Sequence, residues 1–221
     1  MKTFLAKFKS YFLGIYREEQ LSDYFIELIT NHSKTNEIDI LDYGSGFNPD
    51  LILLLSKKLS DNKFNPNITC VDFYSKENLN ELNKNYKLIN FVDFKELPKD
   101  LNYDFIILSD VLHQVGVDSA ETKKILNHLS SISKYIILKD HLEYSFISRF
   151  ILRFMDFIGN YKDGVNIPKN YFTEANYNRL LEELEIENID AIENIKLYNK
   201  ILIPFNFSKF QFINLLRKRI I

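Results

Sequence analysis

The sequence contains few of the residues that build disulfide-linked or metal-held scaffolds. Its 221 residues include one cysteine, no tryptophan, six glycines and five prolines. Cys70 cannot form an internal disulfide, and no cysteine pair is available to bind a metal ion. It lies in the apolar run ITCVDF, which indicates a small residue of a buried strand. This cysteine usage agrees with a reducing compartment, and we expect a cytoplasmic protein.

Long apolar runs and an excess of charge of one sign are also missing. No window reaches the roughly 18 to 20 uncharged residues that a membrane span requires, because even FISRFILRFMDFIG contains Arg149, Arg153 and Asp156. The first stretch, MKTFLAKFKSYFLGIY, is interrupted by lysines and does not have the pattern of a signal peptide. A formal net charge of -2 gives no overall attraction to nucleic acid. We expect a soluble protein that does not bind nucleic acid.

The chain instead shows a regular alternation of apolar strands and amphipathic helices. Short apolar runs that end at an acid or a glycine are typical of buried strands: IDILDYG, ITCVDF, LINFVDF, YDFIILSD and YIILKD. Between them lie the helix-length segments DLILLLSKKL, SKENLNELNKNY and DSAETKKILNHLSSI. This order predicts an α/β fold with a parallel, doubly wound sheet. IENIKLY and FQFINLL are predicted to be the last two strands.

Helical spacing predicts two helices before the first strand, within residues 1–36. Their apolar faces contain Phe4, Phe8, Phe12 and Ile15 in the first helix and Leu21, Phe25, Leu28 and Ile29 in the second. After the fifth strand the alternation is interrupted by a predicted cap insertion, residues 142–171, with a helix from Tyr144 to Ile158 and the turn-rich GNYKDGVNIPKN. Thr173 is predicted to cap the next helix. Because no linker is evident, we expect residues 1–221 to form a single domain.

The segment LDYGSGFNPDLILLL has the composition of a loop that cradles a nucleotide. A strand ends at Asp42, Gly44 and Gly46 form a tight loop around Ser45, and a helix starts near Pro49. Glycine lets the backbone approach a ligand closely, and the start of the helix offers N–H groups. A dinucleotide fingerprint would place a third glycine at position 49. Pro49 therefore argues against a nicotinamide-dependent oxidoreductase or a flavin enzyme.

Two acids end the next two strands, Asp72 in CVDFY and Asp93 in FVDF. Ligands of a doubly wound sheet bind beyond the carboxyl ends of its strands, so these acids and the glycine loop should converge on one crevice. Asp72 could accept hydrogen bonds from both ribose hydroxyls, and Asp93 from an adenine amino group. Phe73, Tyr74 or Phe94 could pack against the base. Such acids can also cap helices, but their order at successive strand ends favours a ligand site.

Together, LDYGSG, VDFY, VDF and YDFIILSDVLHQV resemble the class I S-adenosylmethionine-dependent methyltransferases. ILKDH, followed by RFMDFIGNYKDGVNIPKNYFT, looks like a bacterial small-molecule subgroup, and the resemblance covers about Ile38 to Glu185. It implies a Rossmann-like three-layer sandwich with a seven-stranded, mostly parallel sheet. It also implies S-adenosylmethionine as cofactor and methyl transfer to a small or lipid-like acceptor, at oxygen. FNP after GSG departs from the family, in which many members have another small residue.

The resemblance also implies which residues bind the cofactor. Asp42 and the glycine loop would surround its methionine part, Asp72 would contact the ribose, and Asp93 with Phe94 would contact adenine. The full predicted set is Asp42, Gly44, Ser45, Gly46, Asp72, Phe73, Asp93, Phe94 and Ser109. A non-catalytic protein that binds the cofactor or a partner on the same fold is the alternative function.

Two histidines are candidates for a general base. Methyl transfer from a sulfonium mainly requires alignment of donor and acceptor, but a hydroxyl acceptor could lose its proton to a histidine. His113 follows the fourth strand and His141 the fifth; we favour His141, which adjoins Asp140 and leads into the insertion. Asp110, Asp140 and His141 could instead form a magnesium site like that of catechol-type methyltransferases. Because the resemblance is to metal-free relatives, no metal is expected.

The helix of the insertion is amphipathic, and its role has two interpretations. Phe146, Phe150, Ile151, Phe154 and Ile158 lie on one side, and Arg149, Arg153 and Asp156 on the other. The helix could be an ordinary core or cap element. Alternatively, it could be a lid that contacts an apolar acceptor or the surface of a membrane.

Overall fold

The computed structural model describes residues 15–97, 102–159, 167–197 and 207–219. The helices are α1 (Ile15–His32), α2 (Asp50–Asp61), α3 (Lys76–Asn85), α4 (Leu112–Val115), α5 (Ala120–Ser131), α6 (Phe146–Gly159) and α7 (Glu174–Glu183). The strands are β1 (Glu37–Tyr43), β2 (Asn65–Asp72), β3 (Ile89–Asp93), β4 (Tyr103–Ser109), β5 (Ser133–His141), β6 (Ile186–Ala191) and β7 (Gln211–Lys218). Short 3₁₀ helices span Phe94–Glu96 and Phe207–Phe210.

All seven strands form one sheet in the order β3-β2-β1-β4-β5-β7-β6. Strands β1 to β5 are parallel to their neighbours, whereas β7 is antiparallel to both β5 and β6. The chain therefore builds the sheet outward from β1 in one direction and then from β4 in the other. This reversal opens a crevice at the carboxyl ends of β1 and β4, which is where such sheets bind ligands.

Helices cover both faces of the sheet, which confirms the predicted three-layer architecture. One core joins the strands to α1, α2 and α3 through side chains such as Phe25 and Leu55. The other joins them to α4, α5 and α7 through side chains such as Leu126 and Leu180. Burying each of these side chains contributes roughly 1.5–3 kcal/mol. In β1, Ile40 belongs to the first core and Leu41 to the second, as the alternation of a strand requires.

The observed ends of the helices follow sequence signals. Ser75 caps α3, Ser119 caps α5, and Thr173 caps α7 as predicted. At α7 the cap is reciprocal, because the Asn176 side chain accepts a hydrogen bond from the Thr173 N–H at 2.7 Å. In α1 the predicted apolar face is buried: Leu21, Phe25, Leu28 and Ile29 are at most 1% exposed. The predicted helix around Phe4, Phe8 and Phe12 lies outside the described residues.

The sixth strand is not where the sequence predicted it. The strand is Ile186–Ala191, and IENIKLY, which begins at Ile192, forms no strand over 192–197. The sequence contains IENI twice, at 186–189 and at 192–195, so the pattern could not distinguish the two copies and the wrong one was chosen. Asn194 has a φ of 55°, which interrupts an extended backbone. Ile195 and Leu197 bury their side chains in the core without pairing in the sheet.

The insertion after β5 begins and ends side by side. Leu142 and Phe172 form a parallel β-bridge, and the Glu143 N–H donates to the Phe172 carbonyl at 2.7 Å. Between them, α6 contacts the body of the protein through Leu152, which is fully buried. None of the helices in the described residues has the length and apolar character needed to cross a bilayer.

Candidate active site

The loop between β1 and α2 has two glycines in the left-handed region, for different reasons. Gly44 has a φ of 79° and Gly46 a φ of 66°. A Cβ on Gly44 would lie 2.5 Å from Cγ2 of Val111, so close packing against the segment after β4 requires glycine there. A Cβ on Gly46 would meet no atom of the described residues within 4 Å. The loop therefore packs against Val111 at Gly44, whereas at Gly46 it leaves space for a ligand.

Hydrogen bonds hold this loop in place. The N–H groups of Gly44 and Ser45 both donate to the Val71 carbonyl, at 2.9 and 3.3 Å. The Tyr74 hydroxyl donates to the Gly46 carbonyl at 2.8 Å and also bonds Ser45 Oγ. Burial is the main reason that the pKa of Tyr74 is raised. Tyr74, one of three aromatic residues suggested to pack against a base, is thus a support of the glycine loop.

Asp72 lies beside the open part of the loop. Its Oδ2 accepts from the Gly46 N–H at 2.8 Å, and its Oδ1 accepts from the Phe73 N–H at 2.6 Å. The sequence did not predict that this carboxylate would fix the loop. A carboxylate has about four acceptor positions, so each oxygen keeps capacity for a further donor. Asp72 can therefore brace the loop and still bind hydroxyl groups.

Asp93, Phe73 and Phe94 lie at the ends of the two strands next to the loop. Asp93 pairs with Asp72 in the β2–β3 register, and its side chain accepts from the Lys95 N–H at 3.0 Å. The rings of Phe73 and Phe94 are tilted against each other with centroids 5.1 Å apart. Phe73 is 70% exposed, so it offers an uncovered aromatic face next to the acids. This combination suits a planar ligand with polar edges.

Asp42 is buried at the end of β1, among other acids. Burial, followed by the negative charges of Asp72 and Glu18, raises its pKa to about 7. The Cys70 thiol lies 4.0 Å from Asp42 Oδ2, and burial raises the pKa of that thiol as well. A thiol in this state is unreactive, which agrees with a packing role for Cys70. Several acidic side chains are thus clustered at the end of β1, next to the glycine loop.

After β4, the chain places half-buried Ser109 and then Asp110 at the same edge. Asp110 has a φ of 59°, a strained value for a residue other than glycine. Its carboxylate accepts from Arg17 Nη2 of α1 at 2.6 Å and from the buried ammonium of Lys139 in β5. Burial alone would raise its pKa, but Lys139, His141 and Arg17 outweigh this and lower it. Asp110 is thus an anion held between two cations.

His113 is locked into a buried network. Its Nδ1 lies 2.6 Å from Asp140 Oδ1, and its Nε2 lies 3.6 Å from Asp156 Oδ2 of α6. The Tyr171 hydroxyl donates to the same Asp156 oxygen at 2.6 Å. Burial lowers the pKa of His113, but the charge and hydrogen bond of Asp140 outweigh burial and raise it to about 9. His113 is therefore an imidazolium at neutral pH and has no lone pair to accept a proton.

His141 is in the opposite state. Its backbone N–H donates to Asp140 Oδ1 at 2.7 Å, which fixes its position. Its Nδ1 lies 3.4 Å from Asp110 Oδ1, without the alignment of a hydrogen bond. Burial, followed by the positive charge of Lys139, lowers the pKa of His141. The imidazole is therefore neutral near pH 7, and the nearby Asp110 favours the tautomer with its proton on Nδ1.

Four of these residues could hold a metal ion by distance alone. Asp110, His113, Asp140 and His141 each offer a ligand atom, and these atoms lie within 4.8 Å of one another. However, the carboxylate of Asp110 is already bonded to Lys139 and Arg17, and that of Asp140 to His113. A cation would have to displace these groups. The donor set therefore fits an ion-pair network better than the oxygen-rich site that magnesium prefers.

Sequence reasoning missed several members of the network. Lys139 and Asp156 lie within ILKDH and RFMDFIG, the motifs behind the resemblance, but were given no role. Tyr171 ends the insertion, and no local signal marks it. Arg17 comes from α1, 93 residues before its partner Asp110, so no sequence spacing could have identified it.

Comparison with known proteins supports the fold at low sequence identity. No protein-family model and no curated protein matches the sequence. A methyltransferase of Clostridium acetobutylicum that depends on S-adenosylmethionine is 18% identical, with a TM-score of 0.57 and 90% of both chains covered. The plantazolicin methyltransferase BpumL, solved with SAH, is 15% identical with a TM-score of 0.62, covering 99% of this chain and 89% of its own.

A third structure, OxaC with sinefungin and meleagrin, is 14% identical with a TM-score of 0.55. The match covers 85% of this chain and 44% of OxaC. At these identities the similarity establishes architecture. The chain therefore has the Rossmann-like fold of the class I S-adenosylmethionine-dependent methyltransferases.

Proposed function

We propose that this protein is an enzyme that transfers a methyl group from S-adenosylmethionine to an oxygen of a small or lipid-like acceptor in the cytoplasm. The observation that carries the proposal is the glycine loop at the switch point of the sheet. It is open above Gly46 and has the carboxylate of Asp72 at its side. Close backbone approach next to a carboxylate suits a ligand that contains a ribose.

The described residues fit the cofactor. Gly44, Ser45 and Gly46 would hold its methionine part, above the acidic surroundings of Asp42, which favour a ligand with positive charge. Asp72 would accept from the ribose hydroxyls. Asp93, Phe73 and Phe94 would bind the adenine, with Ser109 next to the methionine part. When bound, the cofactor supplies a methyl group on a positively charged sulfur, and loss of that methyl leaves a neutral thioether.

On the acceptor side, the two histidines have separate roles. His141 is neutral, and with its proton on Nδ1 facing Asp110 it has a lone pair on Nε2. That nitrogen would accept the proton of the acceptor's hydroxyl group. His113 stays protonated and orients Asp140, which in turn holds the backbone of His141. The lowered pKa of His141 supports an oxygen acceptor, because it keeps a base available at neutral pH.

The α6 helix supports an apolar acceptor. Phe146, Phe150 and Phe154 are 79%, 67% and 52% exposed on the outer side of α6, whose inner side contacts His113 through Asp156. Exposed aromatic side chains in a row mark contact surfaces. They favour a lipid-like acceptor or contact with a membrane surface. A small molecule is favoured instead by OxaC, whose structure contains meleagrin.

Asp72→Ala tests the cofactor site. The variant loses the ribose acceptor and the brace on the Gly46 N–H, and hydrogen bonds to a charged group are each worth about 1.5–3 kcal/mol. The affinity for S-adenosylmethionine, measured by calorimetry, should fall about tenfold or more. Asp61→Ala, at the exposed end of α2, is the matched control and should bind normally. Equal affinity in wild type and Asp72→Ala would place the ribose elsewhere.

Labelled donor tests turnover. Wild-type protein incubated with methyl-labelled S-adenosylmethionine and a deproteinised cell extract should give a labelled product. Asp72→Ala should give much less at the same donor concentration. A protein that is stabilised against heat by S-adenosylmethionine but yields no labelled product would be a cofactor-binding protein without catalysis, the alternative function for this fold.

A further inference from the structure

Gln211, the first residue of β7, is a buried polar side chain that has no partner within the described part of the chain. Its residue is 6% exposed, and among the described residues neither its amide oxygen nor its amide nitrogen has a hydrogen-bonding partner. Leaving such a group buried and unpaired is unfavourable, and native proteins contain few examples. An amide that is unpaired at both ends therefore indicates a ligand or another function.

The sheet places Gln211 beside His141. The two residues are opposite each other in the antiparallel β5–β7 register. The next pair outward is joined by a hydrogen bond from the Leu142 N–H to the Phe210 carbonyl at 2.8 Å. The His141–Gln211 pair is therefore of the non-hydrogen-bonded kind, with Cα atoms about 4.5 Å apart and side chains close together. Both side chains lie on the face of the sheet that carries Ile137 and Ile213.

The charges on this face are already balanced. Lys139, two residues before His141, lies on the same face and is bonded to Asp110. Asp110 also binds Arg17, whose guanidinium is bonded to Glu18 as well, so two cations face two carboxylates. A charged ligand group would be buried without a free counter-charge, which is unfavourable. An uncharged group that presents a donor beside an acceptor would satisfy both ends of the Gln211 amide. Carboxamides, lactams and hydroxyl–carbonyl pairs have this arrangement.

We propose that Gln211 determines acceptor specificity, by binding an uncharged donor–acceptor group that neighbours the methylated hydroxyl of the acceptor. The inference rests on the proposed methyl transfer. In it, His141 takes the hydroxyl proton and Gln211 selects what lies next to that hydroxyl. The amide has no partner among the described residues because its partner arrives with the acceptor.

Two variants of β7 test whether the amide is reserved for a ligand. Gln211→Met keeps the shape and removes the unpaired amide, so the melting temperature of the free protein should rise by about 2–4 °C. Asn214→Leu is the matched control, because Asn214 Nδ2 is buried and donates to the Tyr177 hydroxyl at 2.9 Å. Its melting temperature should fall. A fall in Gln211→Met as well would show that protein or ordered water satisfies the amide, and would overturn the proposal.

A pair of probes tests the class of ligand. Salicylamide presents a hydroxyl beside an uncharged carboxamide, and salicylate replaces the amide by a charged carboxylate. With S-adenosylmethionine bound, salicylamide should raise the melting temperature of the wild type more than salicylate does. Gln211→Met should lose this preference, and any methylation of salicylamide should fall about tenfold in kcat/KM. Equal shifts for both probes in the wild type would overturn the assignment of an uncharged ligand.

The outcomes separate this inference from the function on which it rests. Calorimetry with S-adenosylmethionine should give the same affinity for wild type and Gln211→Met, because Gln211 lies on the acceptor side. If the wild type does not bind S-adenosylmethionine, the proposed function fails. If it binds and both variants lose stability equally, the function stands and the role of Gln211 fails.

Discussion

At the scale of single residues, His113 and His141 show how two adjacent histidines acquire different charges. Their ring centroids are 4.8 Å apart, yet one has a raised pKa and the other a lowered one. The difference follows from their partners. Asp140 Oδ1 lies 2.6 Å from Nδ1 of His113 but 3.6 Å from Nδ1 of His141, and its hydrogen bond to His141 comes from the backbone N–H. A proton on both rings would place two positive charges side by side. The pair therefore shares one charge, and His141 is the neutral member.

The charge difference predicts different effects of removing each ring. His141→Ala should lower turnover about 10²–10⁴-fold, because general base catalysis is lost, while the affinity for S-adenosylmethionine stays unchanged. His113→Ala should instead lower stability, because it leaves the buried Asp140 unpaired. Initial rates with labelled donor, calorimetry and thermal melts on both variants check this. Normal turnover in His141→Ala would leave methyl transfer without a histidine base.

Asp42 gives a second prediction at this scale. A carboxyl whose pKa is raised to about 7 by burial destabilises the folded protein once it is ionised. Asp42→Asn should therefore raise the free energy of unfolding at pH 8 by up to about 4 kcal/mol. It should also weaken binding of the positively charged S-adenosylmethionine. Asp39→Asn, an exposed acid of the same strand, should change neither quantity. Urea denaturation at pH 8 measures the change in stability, and calorimetry at pH 8 measures the affinity for S-adenosylmethionine. An unchanged affinity in Asp42→Asn would show that Asp42 is not part of the cofactor site.

At the scale of elements, α6 has its phenylalanines outward and an acid inward. Asp156 is 8% exposed and bonded to Tyr171, whereas Phe150 is 67% exposed. The amphipathic pattern was visible in the sequence, but it did not show which side faced the protein. Of the two interpretations of this helix, one placed its apolar side in the core and the other placed it against an acceptor or a membrane surface. In the structure the phenylalanines of that side face solvent. The contact with the site is made by the polar side.

The attachment of this helix can be tested through one hydroxyl. Tyr171→Phe removes the donor to Asp156. Among the described residues, the buried carboxylate then keeps one cationic partner within 4 Å, His113 Nε2 at 3.6 Å. The variant should lose about 1–3 kcal/mol of stability, and proteases should cleave the insertion faster. Tyr144→Phe is the control, because Tyr144 is 60% exposed in the same segment. Equal cleavage of both variants would show that the hydroxyl does not secure the insertion.

At the scale of the whole molecule, the altered pKa values of buried groups predict how the stability of the fold depends on pH. The folded pKa of His113, about 9, lies above its ordinary 6.5. Its stabilising effect is therefore complete below about pH 6.5 and is lost as the pH rises toward 9. The free energy of unfolding should fall by up to about 3 kcal/mol across pH 7–9, and the melting temperature should fall with it. Asp42→Asn should show nearly the same fall, because the pKa of Asp42, about 7, lies at the lower limit of this range. A constant melting temperature over this range would contradict the charge assigned to His113.

Much of the fold could be predicted because its signals are local. The apolar runs that became β1 to β5, the glycine loop and the acids at Asp72 and Asp93 are each read within a few residues. The location of β6 could not be read locally, because both copies of IENI have the pattern of a strand. The ion-pair network could not be predicted either. Asp110 meets Arg17 and Lys139 only after α1 packs against the sheet. The spacing of these residues in the sequence does not indicate that packing.

The position of β7 has a consequence for how the protein is made. This strand comes after β6 in the sequence but lies between β5 and β6 in the sheet. A nascent chain can therefore pair β1 to β5 while the edge of β5 remains open, and β6 has no strand to join until β7 emerges. An open edge of this kind is a site of unwanted pairing during synthesis. The glycine loop and Asp72 belong to the early half, whereas Gln211 arrives with the final strand, so the two sides of the site are completed at different times.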